Sequence, residues 1–369
     1  MTLTSFSWQL PARWGCWMAL FVLLLSSPPA LQAAGDAHGE GGEFKISELL
    51  FHHILDSHSW HLVDIPTGNG HYTPVSIPLP WIIYSSEKGL DVFTLTGHSE
   101  AELQAQAAAR GYELHHEKIH LAGQPDALIL DFSITKTVAQ MLIVGLILFL
   151  LLTSVAKAYT RRPGEAPRGL QNFFELVIVF VRDEIAKPNL GDKYARFLPY
   201  LLTLFFFIWT ANLLGLTPLN SNIMGNISVT VALATLTFLL VQFNGSKDHW
   251  QHIFWFPGVP LLVKFIMLPV ELVGLFAKPF SLTVRLFANI AAGHFMVLSL
   301  ISLIFLLGKQ GANPAGAFAI LPLSIAFNLF IMTLEVLVAA IQAYVFTLLT
   351  AVFLGMAMES HDEHEHAHH

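Results

Sequence analysis

The sequence predicts an all-α integral membrane protein: three ordinary spans, a surface amphipathic helix and a long, steeply tilted two-helix hairpin, preceded by a small exported mixed region. Three observations carry that expectation. Hydrophobic types make up 54% of the 369 residues and charged types 12%, with a mean hydropathy of +0.58; soluble domains carry about twice that share of charge. Residues 261–307 and 315–358 form two apolar runs, each roughly twice the ~20 residues that cross a bilayer core. Residues 35–131, by contrast, are polar, with 14 acidic side chains against 4 basic ones.

Composition also excludes several classes. A net charge of −7 leaves no basic footprint for nucleic acid. The single cysteine, Cys16, rules out a disulfide framework and a cysteine-based zinc site.

Taken in order, residues 1–34 read as a secretory signal peptide. Arg13 supplies the positive start, "CWMALFVLLL" the apolar core, and "SSPPALQAA" the small residues before cleavage near Ala33. A short membrane anchor is the alternative. Within the exported soluble region, 35–131, "YTPVSIPLPWIIYSS" and "GLDVFTLTG" have the β-branched and aromatic content of short strands. The stretch "SEAELQAQAAARGYEL" reads as a helix, with Ser99 as N-cap and Gly111 as its end.

The first transmembrane helix is expected within 132–160. Lys157, Arg161, Arg162 and Arg168 follow its apolar stretch and mark that side as cytoplasmic. Residues 168–190 are amphipathic and charged at one end, so they are expected to lie on the membrane surface. A transmembrane hairpin follows over 196–243, turning through "TPLNSNIMGN", which has no Lys or Arg. The hairpin of long helices, 261–358, comes next, with Pro269, Pro279 and Pro322 permitting bends. Re-entrant segments broken at those prolines are the alternative. Residues 359–369 form a His-rich cytoplasmic tail. The implied location is a bacterial inner membrane, with the N-terminal region periplasmic.

The informative feature is charge inside the apolar runs. Lys264, Glu271, Lys278 and Arg285 stand seven residues apart, so successive members drift only ~20° around a helix and form one stripe. A cation at bilayer depth costs ~2.5–3.5 kcal/mol or more. The end members can snorkel to the interface. Arg285 has ~20 apolar residues beyond it; an interfacial, snorkelling Arg285 on a steeply tilted helix remains the alternative. An arginine stays protonated, so it acts as a fixed cation in need of an anion. Glu335, which shares a face with Gln342, is one candidate, and a carboxylate on another chain the better one. His294 lies nine residues beyond Arg285 and points to the opposite side. With His294 and Glu335 on one side of the Arg285–Gln342 level and Glu271 on the other, two polar half-paths flank a fixed charge.

"AKPFSLTVRLFANIAAGH" resembles the arginine-helix signature of the subunit a family of ATP synthases. "EVLVAAIQAYVFTLLTAVFLG" is similar to that family's final helix, "ANLLGLTP" with "GNISVTVALA" to its preceding hairpin, and "FSITKTVAQMLI" to its first span. The resemblance covers about residues 131–358. It implies a non-catalytic, proton-translocating subunit of the membrane sector. Arg285 would face the mid-membrane carboxylates of c-ring proteolipids, Asn289 and Gln342 would be its polar neighbours, and Glu271 a cytoplasmic-path acid. Peripheral-stalk b subunits and lipid would be the further partners, and no cofactor is implied. In a common version of the family's pattern an acid stands where His294 is and a histidine where Glu335 is; here the two types are exchanged. A secondary transporter would show paired repeats, and none is found. A structural scaffold leaves Arg285 with Gln342 without a reason.

Among the remaining histidines, His52, His53, His58 and His61 with Asp56 lack a specific metal spacing, and a surface-facing polar cluster is expected. His115, His116 and His120 are expected on a solvated segment.

Overall fold

A computed structural model describes residues 57–68, 71–85, 88–97, 100–115, 118–123, 129–161, 166–217, 223–255, 260–308 and 314–359. The signal peptide, His52, His53, Asp56, Ser99, His116 and residues 360–369 lie outside the described residues. The chain divides into two compact units, the first built around Ser57–Ile134 and the second around Thr135–Leu216 and Ser221–His369.

The first unit is mixed. Strand β1 (Ser59–Gly68) pairs antiparallel with β2 (His71–Pro78). Strands β3 (Pro80–Ser85), β4 (Gly89–Thr94) and β7 (Ile129–Asp131) form a second sheet in the order β4-β3-β7, and β5 (Tyr112–His115) pairs with β6 (Lys118–Leu121). Helix α1 (Glu100–Ala109) precedes β5. Trp81, Ile83 and Phe93 alternate inward along β3 and β4, and meet Ala107 of α1 with Tyr112, Leu114, Ile119 and Leu121 in one core. Gly111 adopts φ 78°, a conformation that glycine enters without steric cost and that ends the helix as its sequence position predicted.

The short strands expected within 72–86 and 89–97 correspond to β2, β3 and β4, but β1, β5, β6 and β7 were not anticipated. They are short or polar, and their partners rather than their own residues fix them. His58 is partly exposed, and its ring stacks on Trp81 at 3.4 Å between centroids, with planes 14° apart. His115 and His120 belong to the β5–β6 hairpin.

The second unit is helical. Helix α2 spans Lys136–Arg161. The stretch expected as one amphipathic helix is instead α3 (Leu170–Phe180), a π-helical turn (Val181–Ala186) and α4 (Lys187–Leu190). A 3₁₀ turn then leads into α5 (Tyr194–Gly215). Helix α6 (Ile227–Phe243) is capped by Asn226, whose side chain accepts from Ser228 N. Helix α7 (Lys247–Phe254) is capped by Ser246 and turns 105° from α6.

Helices α8 (Leu261–Leu307) and α9 (Pro314–Met358) run 47 and 45 residues, about 70 Å each. Both continue through their internal prolines, so the re-entrant alternative does not describe them. Among the described residues four helical runs are long and apolar enough to cross a membrane, and a fifth if α6 and α7 count as one span. The core of this unit joins Val144 and Leu148 of α2, Leu201, Phe205 and Ile208 of α5, Leu282 and Leu286 of α8, and Phe346 and Leu354 of α9.

Candidate functional site

Helix α8 positions most of the charged residues. Arg285 sits near its middle and is exposed, flanked by exposed Phe276, Phe280 and Val284. Among the described residues it forms no ion pair with Glu335. One turn on, Asn289 Nδ2 donates to Gln342 Oε1 at 3.0 Å. Gln342 is 3% exposed, so this bond satisfies a buried amide and fixes the register of α8 against α9 at the arginine level.

Two cavities flank that level. One, of about 200 Å³, is lined by His294, Glu335, Asn289, Gly293 and Asn212 among largely apolar neighbours. Among the described residues His294 Nε2 is buried without a hydrogen-bond partner, and so are both polar side-chain atoms of Asn212, itself 2% exposed. Groups of this kind are suited to bridging water. Gly293 lets the Glu335 carboxylate lie directly on the α8 backbone: a Cβ there would overlap Glu335 Oε1. His294 and Glu335 thus share one cavity, nine residues and about 14 Å along α8 from Arg285.

The other cavity, of about 320 Å³, lies toward the start of α8. Glu271, Lys278, Asp248, His249, His252 and Glu359 supply its charged and titratable lining. Glu271 is 14 residues before Arg285, about 21 Å along the helix. Lys278 also lies over the Phe353 ring at 5.3 Å, and Lys264 over Trp255 at 4.1 Å, so both stripe lysines rest on aromatic faces.

All six residues singled out in the sequence therefore fall on α8 and α9. His294, Glu335 and Asn289 line one cavity, Glu271 the other, and Arg285 stands on an exposed face between them. Sequence reasoning missed Asn212, whose signal was a lone amide inside "FFFIWTANLLGL", and it missed Asp248, His249, His252 and Glu359. No group of three or more metal-ligating side chains occurs among the described residues.

Residues 138–355 match the family described as ATP synthase A chain. The chain belongs to that family. Proteins named ATP synthase subunit a are similar to it over most of their length. That of Chloroherpeton thalassium is 43% identical over 261 residues, covering 69% of this chain and 74% of the relative. That of Pelodictyon phaeoclathratiforme is 35% identical over 353 residues, covering 93% and 86%. That of Chlorobium phaeobacteroides is 41% identical over 350 residues, covering 91% and 84%. Residues 49–136 match a second family, described as a domain of unknown function. The ATP synthase A chain match thus contains both cavities' α8 lining and the Asn289–Gln342 bond, while the mixed unit belongs to the second match.

Proposed function

We propose that this chain is the stationary, non-catalytic subunit a of an ATP synthase membrane sector, carrying protons through two half-paths to and from the mid-membrane carboxylates of a c-ring. The observation that carries the reading is an exposed, permanently charged Arg285 between two cavities that hold titratable side chains at different levels along α8. One cavity offers His294 and Glu335, the other Glu271, and the apolar face around Arg285 suits a rotor sliding past in lipid.

A proton entering from outside passes His294 and Glu335 and neutralises a ring carboxylate, which can then turn into lipid without the cost of a bare charge. After nearly a full turn that carboxylate reaches the inner cavity and gives up its proton toward Glu271. Arg285 attracts the ionised carboxylate through its planar fork and blocks direct passage between the half-paths. One charge moving through 100 mV supplies ~2.3 kcal/mol. In this reading the N-terminal mixed unit is periplasmic and the α6–α7 turn cytoplasmic, and the basic residues after α2 support that orientation. The signal peptide over 1–34, the inner-membrane location and contacts with peripheral-stalk b subunits belong to the same reading.

The test is ATP-driven proton pumping in inverted membrane vesicles. Arg285→Ala is expected to abolish pumping while the ATPase activity of the complex's soluble sector survives, and Arg285→Lys is expected not to restore normal coupling. Near-normal pumping in Arg285→Ala overturns the assignment.

A further inference from the structure

We propose that His249 is the proton-exchange group at the cytoplasmic mouth of the inner cavity, passing protons between bulk water and Glu271. The inference rests on the proposed proton path and adds a residue to it. His249 lies on α7, outside the arginine helix and outside the stripe that the sequence exposes.

Three observations locate this residue, one at its backbone and two at its ring. Ser246 caps α7 by accepting from His249 N at 3.1 Å. Gln242 Oε1 lies 3.4 Å from His249 Nε2. Gly245 makes room for the ring, since a Cβ there would stand 2.8 Å from His249 Cδ2. The turn carrying these residues is anchored in turn, because Ser246 N donates to Ala357 O at 2.8 Å and Ser246 Oγ to Glu359 O at 2.9 Å. A half-buried ring so fixed is a positioned group rather than a loose surface histidine.

The surroundings suit proton exchange. Glu271 and Lys278 face the same cavity from α8, Asp248 and His252 from α7 itself, and Glu359 from the end of α9. Burial lowers the His249 pKa, Lys278 and His252 lower it further, and Glu271 opposes them. The neutral ring is thus the resting form, and Glu271 in the same cavity is placed to exchange a proton with it. With Nε2–H donating to Gln242 Oε1, the neutral ring accepts a proton at Nδ1. The imidazolium then loses one proton, to Glu271 through cavity water or back to bulk water, and returns to the neutral ring.

The experiment compares His249→Ala, His249→Gln and Arg285→Ala in inverted vesicles carrying the whole complex, matched for membrane-bound ATPase. Pumping is followed against medium pH, with and without free imidazole. His249→Ala is expected to slow pumping about tenfold, less than the roughly hundredfold lower end of general acid–base effects because water partly bridges the gap. It should also lose one titrating limb of the pH profile and recover with imidazole. His249→Gln keeps length and a polar tip but cannot titrate, so it should be equally slow. Unchanged pumping in His249→Ala, full activity in His249→Gln, or a loss that imidazole does not relieve each overturns the role. Arg285→Ala separates the two readings: if it still pumps, the proton path itself fails, whereas a dead Arg285→Ala beside an unaffected His249→Ala removes only His249.

Discussion

Gly293 is the residue on which the outer cavity turns. Its missing side chain lets the Glu335 carboxylate reach the α8 backbone beside His294. In a helix interior, glycine costs about 0.5–1 kcal/mol relative to alanine, so Gly293→Ala stabilises α8 as a helix. The added methyl nonetheless takes the place of Glu335 Oε1, and the flexible acid must swing away. We expect Gly293→Ala to keep or raise thermal stability in detergent while lowering ATP-driven pumping several-fold. A pumping loss that merely follows a stability loss would show that packing, not the carboxylate's place, is at stake. Arg285, Asn289, His294, Glu335, Gln342 and Glu271 were legible in the sequence because each is a polar outlier in an apolar run with a helical period. Gly293 was not, since only the facing helix reveals what its absent side chain admits.

Among the elements, α8 and α9 were legible from run length alone, and their prolines did not break them. The π-helical turn Val181–Ala186 was not. It carries Asp183, which pairs with Arg182 at 2.8 Å and Lys187 at 2.7 Å, and it buries Val181, Ile185 and Ala186. An extra residue per turn re-aims the side chains that follow, and no periodicity in an amphipathic segment announces it. The end of this region meets α9 closely: a Cβ at Gly355 would overlap Asn189 O. That neighbour is backbone, which cannot rotate aside. Gly355→Ala is therefore expected to destabilise the α4–α9 packing by about 1–3 kcal/mol, seen as a lower melting temperature of the chain in detergent. An unchanged melting temperature would mean that α9 shifts freely at this contact.

For the molecule as a whole, the division into a mixed unit and a helical unit follows the sequence's change of composition, and the two family matches divide near the same place. The mixed unit has its own titrating element. The Tyr112 hydroxyl, in a side chain with no exposure, donates to Asp91 Oδ2 at 3.1 Å, and burial followed by the Asp91 bond raises its pKa. A pKa raised on folding adds stability that is fully present below the unfolded value, about 10, and is lost as pH climbs through the folded value. Tyr112→Phe should cost about 1 kcal/mol at neutral pH and flatten the alkaline loss. Limited proteolysis of the full chain between neutral and alkaline pH reads both effects, and a Tyr112→Phe profile parallel to that of the parent would rule out the hydroxyl as the titrating group. The bond was not visible beforehand because Asp91 is 21 residues from Tyr112, and the β5–β6 hairpin was missed because its two strands are only four residues each and mix polar with apolar side chains.

The clasp between Ser246 and Glu359 spans 113 residues of chain. Ribosomes deliver a protein from its N-terminus onward, so α6 and α7 leave the exit tunnel long before Ala357 and Glu359 have been made. Until both long helices have been inserted, the bent α6–α7 turn lacks the bonds that anchor it, and the inner cavity lacks its Phe353, Met356 and Glu359 wall. A nascent chain therefore carries Arg285 into the bilayer before the cavity beside the α6–α7 turn is finished, and biogenesis completes that cavity only after the last long helix has arrived.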